Sequence, residues 1–185
     1  MDLSLFLADM ESRFDQHRRD EHDEMLVEML DAERAGISYA QRLLATLHQE
    51  VELILRGSQR VRGNVADVAL QWIRLKSGRE EHIIPLHAIV AAQGLDSART
   101  DADSPALRVS IGHLLRELSA RGVMLVIEHD AGQYVGRLTA VYADHCDILI
   151  GGRDSWDQRD RGPTALISLS LQGVHKITLA NEWRG

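Results

Sequence analysis

Val51-Glu-Leu-Ile-Leu-Arg-Gly57, running on through Val61-Arg-Gly63-Asn-Val65 and closing at Ile84-Pro-Leu-His-Ala-Ile89, is the stretch that decides the fold. It occurs a second time. Val123-Met-Leu-Val-Ile-Glu-His129 leads into Val135-Gly136-Arg-Leu138 and closes at Leu169-Ser-Leu-Gln-Gly-Val174. With Gly63 set on Gly136, Val65 falls on Leu138 and Val68 on Val141. The closing Leu86-x-x-Ile89 answers Leu171-x-x-Val174. An apolar helical turn precedes each copy: Leu43-Leu44 with Leu47, and Leu114-Leu115 with Leu118. Self-similarity of this kind is evidence of architecture before any single motif is considered.

Within the first copy, Val51, Leu53 and Leu55 alternate with Glu52, Ile54 and Arg56, the period of a half-buried strand. Gly57-Ser-Gln-Arg60 reads as a turn, Val61 to Val68 as a second strand, and Trp72 to Leu75 as a third, with Trp72 in the core. Lys76-Ser-Gly-Arg79 turns the chain into Glu81-His-Ile-Ile84. Pro85 has no N–H to give a ladder, so it marks a strand end or an edge. The expected core is Val65, Val68, Ile73, Leu75, Ile84 and Ile89, with Leu138, Val141, Ile148, Leu149, Leu169 and Val174 as counterparts. A polar stretch at 94–104 reads as a linker. Ser104-Pro105 reads as a helix start, the face Leu107, Ile111, Leu114, Leu115, Leu118 as its buried side, and Gly122 as its stop. The second copy carries a hydrophilic insertion, Gly151 to Pro163, with Trp156 inside it. A long polar loop in a compact domain points to a binding role.

Residues 4–48 read as helix. They contain no proline, and Gly36 is the one interior glycine. Leu26, Leu30, Ile37, Ala40, Leu44 and Leu47 keep the rhythm of a heptad seam. Asp15 to Glu24 has no apolar residue, so it serves as an elbow or as solvated helix. The seam needs a partner surface, supplied by a hairpin, the second repeat or another chain.

The net charge is −7. Residues 1–50 hold 12 acidic against 5 basic residues and carry −7 between them, while 51–94 hold 4 against 6 and carry +2. The lone Cys146 cannot close an internal disulfide, which fits a reducing cytoplasm. The amino terminus has no basic region before its short apolar run, so it does not read as a secretory signal. No apolar run approaches the roughly 20 residues of a membrane span.

A helix followed by five short curved strands, with a glycine midway along the second, resembles the Sm/LSm small barrel of the SH3-like class, in its bacterial Hfq-like branch. The likeness rests on Gln59-Arg-Val-Arg-Gly63-Asn-Val65 as the strand-two signature and Leu86-His87-Ala88-Ile89 as the closing motif. It covers residues 43–92 and, less clearly, 114–179. The layout is similar to actinobacterial proteins with a charged N-terminal helix and tandem barrels. The resemblance implies RNA binding, and of the family's closing lysine and histidine only His87 carries over, with Leu86 at the lysine position. The expected fold class is α+β. A long charged helical segment spans 1–49, a first Sm-like barrel 50–94, a linker 95–104, a short helix with a second Sm-like barrel 105–181, and a tail 182–185.

Two functional expectations follow. The first is a non-enzymatic cytoplasmic adaptor that binds a protein partner or itself, through Leu26, Leu30 and Ile37 on the helix and Arg153, Trp156, Arg159 and Arg161 in the loop. The second is RNA binding through a basic face of Arg56, Arg60, Arg62, Arg79 and His87, since cations must displace phosphate counterions. No phosphate loop, zinc-ligand spacing or nucleophile elbow is present, so no enzyme, metal or cofactor is expected. In Asp144-His145-Cys146-Asp147, strand alternation places Cys146 on the face opposite His145 and Asp147, as a buried small hydrophobe.

Overall fold

The computed structural model describes residues 25–96, 108–151 and 164–179. The chain divides after Ser38 into two units. In the first, residues 25–35 form helix α1, which stops at Gly36. There the hydrogen bonds tighten to Gly36 N–H with the Glu33 carbonyl (3.2 Å) and Ile37 N–H with the Arg34 carbonyl (3.1 Å). The continuous helix expected over 4–48 is therefore corrected, because the chain leaves helix at 37–38 and re-enters it as α2, Tyr39–Ala45. Glycine has the most backbone freedom to lose in a helix, so the break falls where helix is weakest. The part of that expectation covering residues 4–24 lies outside the described residues.

The second unit begins with α2 and holds, among the described residues, ten strands. They are β1 Glu50–Leu55, β2 Arg60–Val68, β3 Trp72–Ser77, β4 Glu80–Pro85, β5 Ile89–Gln93, β6 Met124–His129, β7 Gly132–Val141, β8 His145–Ile150, β9 Ala165–Ser170 and β10 Val174–Leu179. Helix α3, Ile111–Ala120, precedes β6. All ten strands belong to one antiparallel sheet in the order β5-β1-β2-β3-β4-β10-β6-β7-β8-β9. This corrects the expectation of two small barrels joined by a linker. The sheet is continuous and open, and β4 pairs directly with β10 through Ile83–Ile177, His82–Thr178 and Glu81–Leu179.

The sequence repeat survives as a repeat of strand order. β5-β1-β2-β3-β4 in the first half is answered by β10-β6-β7-β8-β9 in the second. The irregularities repeat too. Ala66 is an extra residue in β2 against β3, and Thr139 in β7 against β8. Val90 is extra in β5 against β1, and His175 in β10 against β6. A bulge bends its strand and raises the local twist, so four matched bulges curve both halves alike. The two matched glycines have one cause. A Cβ on Gly63 would stand 2.6 Å from the Lys76 carbonyl oxygen, and one on Gly136 would strike the Leu149 carbonyl. Any side chain there would force the neighbouring strand away.

Each half has its own apolar core. The first gathers Leu43 from α2 with Val51, Leu53, Leu55, Val61, Val65, Val68, Ile73, Leu75 and Ile84. The second gathers Leu115 and Leu118 from α3 with Leu125, Ile127, Leu138, Cys146, Ile148, Leu169, Val174 and Ile177. It also takes Ala69, Trp72 and Ile83 from the first half. Trp72 is in a core as expected, but in that of the other half, and its Nε1–H donates to the Val109 carbonyl at 2.9 Å. Of the expected core, Ile89 and Val141 are half-buried and Leu149 is exposed at 40%, because β8 turns Cys146 and Ile148 inward instead.

Helix α3 is bounded by its own sequence. Ser110 accepts from the His113 N–H at 3.2 Å as N-cap. Gly122 at φ +62° closes the other end, with its N–H on Ser119 O and that of Val123 on Leu118 O. The expected start at Ser104-Pro105 lies outside the described residues.

Candidate functional site

Two features of the sheet can carry an interaction: the seam where its halves join, and its two outer edges. At the seam Ile83 faces Ile177, both fully buried. Beside them the His82 imidazole is buried, with Nδ1 3.1 Å from the Thr178 hydroxyl and Nε2 3.5 Å from Glu80. Burial first, and Lys176 second, hold the His82 pKa below the ordinary imidazole value. Lys176 is itself paired with Glu128 at 2.8 Å, with both side chains largely covered.

A polar cluster lines one rim of the seam. It is built from the short 3-10 turns that follow β1, β4 and β9, at Arg56–Ser58, Leu86–Ala88 and Leu171–Gly173. His87 lies against the Gln172 and Val174 backbone, and burial, then the Arg56 charge, lower its pKa. The Arg56 guanidinium donates to the Gln172 carbonyl at 3.5 Å. His175, the bulged residue of β10, is buried and donates through Nε2 to Asp130 at 2.6 Å. That hydrogen bond depresses the Asp130 carboxyl. Charge in this cluster is mixed: Arg56 is met by Asp130, and the imidazoles are spent on backbone and carboxylate.

The residues singled out from sequence fall in several places. Arg56 and His87 come together at the seam. Arg60 and Arg62 stand away from it on the β1–β2 ladder, where Arg60 pairs with Glu52 at 3.0 Å and Arg62 with Glu50 at 2.6 Å. Arg74 bridges Asp67 and Glu81, and Lys76 also reaches Glu81. Arg79 is exposed in the turn between β3 and β4. The expected basic face is thus interleaved with carboxylates. Leu26 and Leu30 are exposed on α1, and Ile37 follows its end half-buried. Arg153, Trp156, Arg159 and Arg161 lie outside the described residues.

Cys146 is buried beneath β8 as expected, and burial, with Asp147 second, pushes its thiol up to about 11. On the outer face of the same strand, His145 hydrogen-bonds Asp144 at 2.7 Å and stacks on Tyr142 at 4.4 Å between ring centroids. Among the described residues, no three His, Cys, Asp or Glu side chains could hold a metal ion. No helix among them is long and apolar enough to cross a membrane.

The outer edges are what sequence reasoning missed. β5 pairs only with β1 and β9 only with β8, and among the described residues the far side of each has no strand partner. β5 reads Ile-Val-Ala-Ala-Gln and β9 reads Ala-Leu-Ile-Ser-Leu-Ser. Neither contains a charge or a proline, the usual means by which a sheet edge is kept from pairing. Val90 on β5 is 66% exposed and Leu166 on β9 is 61% exposed. The signal available in sequence was the absence of charge in two strands whose counterparts, β10 and β4, both carry it. No protein-family model matches the chain, and no curated protein matches it either.

Proposed function

We propose that this protein is a non-enzymatic cytoplasmic scaffold that takes protein partners, copies of itself included, by adding backbone to the open edges of its sheet. The observation that carries this reading is the uncharged, unblunted sequence of β5 and β9. Edge addition supplies main-chain hydrogen bonds at little cost in side-chain specificity. The exposed apolar residues Met25, Leu26, Val27, Met29 and Leu30 of α1 give the first unit a surface of its own for the same class of partner. RNA binding through Arg56 and His87 is less favoured. Phosphate affinity needs several cations together, and of the arginines in the first half Arg60, Arg62 and Arg74 are matched by Glu52, Glu50, Asp67 and Glu81.

Photo-crosslinking from Val90 and Leu166 in the native host tests the reading, with the exposed Arg60 position as control. Protein adducts from both edges, above those from the control, are the expected result. Adducts no more abundant than the control would reject it. So would saturable binding of short single-stranded RNA at physiological salt that Arg56→Glu with His87→Ala removes.

A further inference from the structure

Met25, Leu26, Met29 and Leu30 recur on α1 at i, i+1, i+4 and i+5, which on a helix puts them on one face. All four are exposed, as is Val27 at the flank of that face. Glu33 follows on the same stripe, one turn beyond Met29 and Leu30, and it is exposed too. It stands where the heptad seam of Leu26 and Leu30 calls for an apolar residue. The stripe is therefore two apolar turns followed by a carboxylate. Arg34, the single cation of residues 25–35, is next in the chain but turned to Asp31 at 3.5 Å.

That carboxylate decides what can cover the stripe. In a parallel pair with a second copy, Glu33 meets Glu33, two like charges in a seam that is closing to water. In an antiparallel pair that overlaps the apolar turns, Glu33 is set against Leu30 of the other helix and loses its water with no cation in return. A different helix with a lysine or arginine at one seam position removes both faults, and a polar residue at such a position also fixes the register. The surrounding charge agrees. Residues 1–50 hold 12 acidic against 5 basic residues, a field that draws a cationic partner and repels an anionic lipid surface. Met25 and Met29, with unbranched and adaptable side chains, suit a helix whose seam differs from their own. We infer that α1 takes an amphipathic helix of another protein, apolar along its seam and carrying there one lysine or arginine opposite Glu33. This rests on the scaffold reading above and names a partner for the first unit.

Fluorescence anisotropy with two synthetic probes tests this on the full chain. Both are amphipathic helices with a leucine seam and the same uncharged flanks. They differ in one central seam residue, lysine in the first and glutamate in the second. The expected result is saturable binding of the lysine probe, about tenfold tighter than that of the glutamate probe, with the preference shrinking as salt rises. Glu33→Lys reverses the preference, which adsorption to the general acidity of the chain does not do. Leu30→Asp removes binding of the lysine probe. The position is exposed, and a far-ultraviolet spectrum confirms that the variant is folded; Leu26→Asp replaces it if it is not. Absent binding, equal binding of the two probes, a preference that Glu33→Lys leaves in place, or binding that survives the aspartate overturns the inference. So does self-association of the full chain, read by sedimentation velocity, that Leu30→Asp abolishes, because the occupant is then a second copy. Crosslinks from Val90 and Leu166 report on the sheet edges alone, so the failure of this partner and the failure of the scaffold reading are told apart.

Discussion

Ile148 and Leu149 sit side by side on β8, one fully buried and one 40% exposed. Leu149 lies across from Leu166 of β9, so the two leucines cover part of each other on the outer face. Truncating Ile148 to alanine leaves a cavity in the second core and costs on the order of 2–5 kcal/mol. Truncating Leu149 opens nothing and costs about 0.5 kcal/mol or less, as at other surface positions. Urea unfolding of both variants measures the contrast, and equal losses would mean that β8 is held in the opposite phase. The same alternation buries Cys146, and burial pushes its thiol up to about 11, so the side chain packs as a small apolar group.

Among the elements, α3 has local signals at both ends, Ser110 as its N-cap and Gly122 as its stop. Its cap at Ser110 accepts from the first-turn N–H of His113, which the Ser110 carbonyl also shares at 3.1 Å. Ser110→Ala should cost about 1 kcal/mol of stability. Thermal denaturation reads it as a lowered midpoint, and an unchanged midpoint would mean that the segment before the helix, held by Gln71 and Trp72, supplies the cap's share. α1 is bounded differently. Its stop depends on one glycine in a chain that otherwise favours helix, and its exposed Leu26 and Leu30 place the heptad rhythm in solvent. The strands owe their curvature to paired bulges and to two glycines that let a neighbouring carbonyl approach closely.

At the scale of the whole molecule, the seam carries two imidazoles that couple folding to pH. His82 and His87 both titrate below the ordinary imidazole value, burial being the first cause at each. The unfolded chain therefore takes up protons at these sites at a higher pH than the folded chain does. The stability that the neutral imidazoles contribute is complete above about pH 6.5, the unfolded value. It falls as the pH drops through that value, and the loss levels off only below the folded-state values. Asp130 works in a lower window. Its carboxyl is depressed by the hydrogen bond to His175, so its contribution holds above the ordinary carboxylate value and is lost as pH falls through the folded one. Denaturation midpoints at pH 7.5, 6.5 and 5.5 should decline in that order, with a shallower decline in His82→Gln. A flat profile, or an unchanged slope in the variant, would place the proton-sensitive group elsewhere.

The strands, their phase through β1 to β4, the two matched glycines and the repeat itself were all determined by the sequence. Each follows from a local rule: period-two alternation of apolar residues, turn chemistry, and glycine where backbone must approach backbone. The 3-10 closing turns fall in the two segments matched from sequence at Leu86-x-x-Ile89 and Leu171-x-x-Val174. What only the tertiary structure decided is how the repeats relate. Whether two copies of a five-stranded unit stand apart or share one sheet depends on which edges pair, and pairing uses backbone groups that every residue carries. Nothing in Glu80-Glu81-His82-Ile83-Ile84-Pro85 by itself names β10 as its neighbour. Trp72 reads as core in sequence, and only the fold assigns it, together with Ile83, to the core of the other half. His87 and Arg56 illustrate the same limit at the candidate site. They are 31 positions apart in the chain and meet Gln172, Asp130 and His175 because the seam brings three turns together. Side-chain pattern is local and legible, whereas edge pairing is long-range and set by geometry.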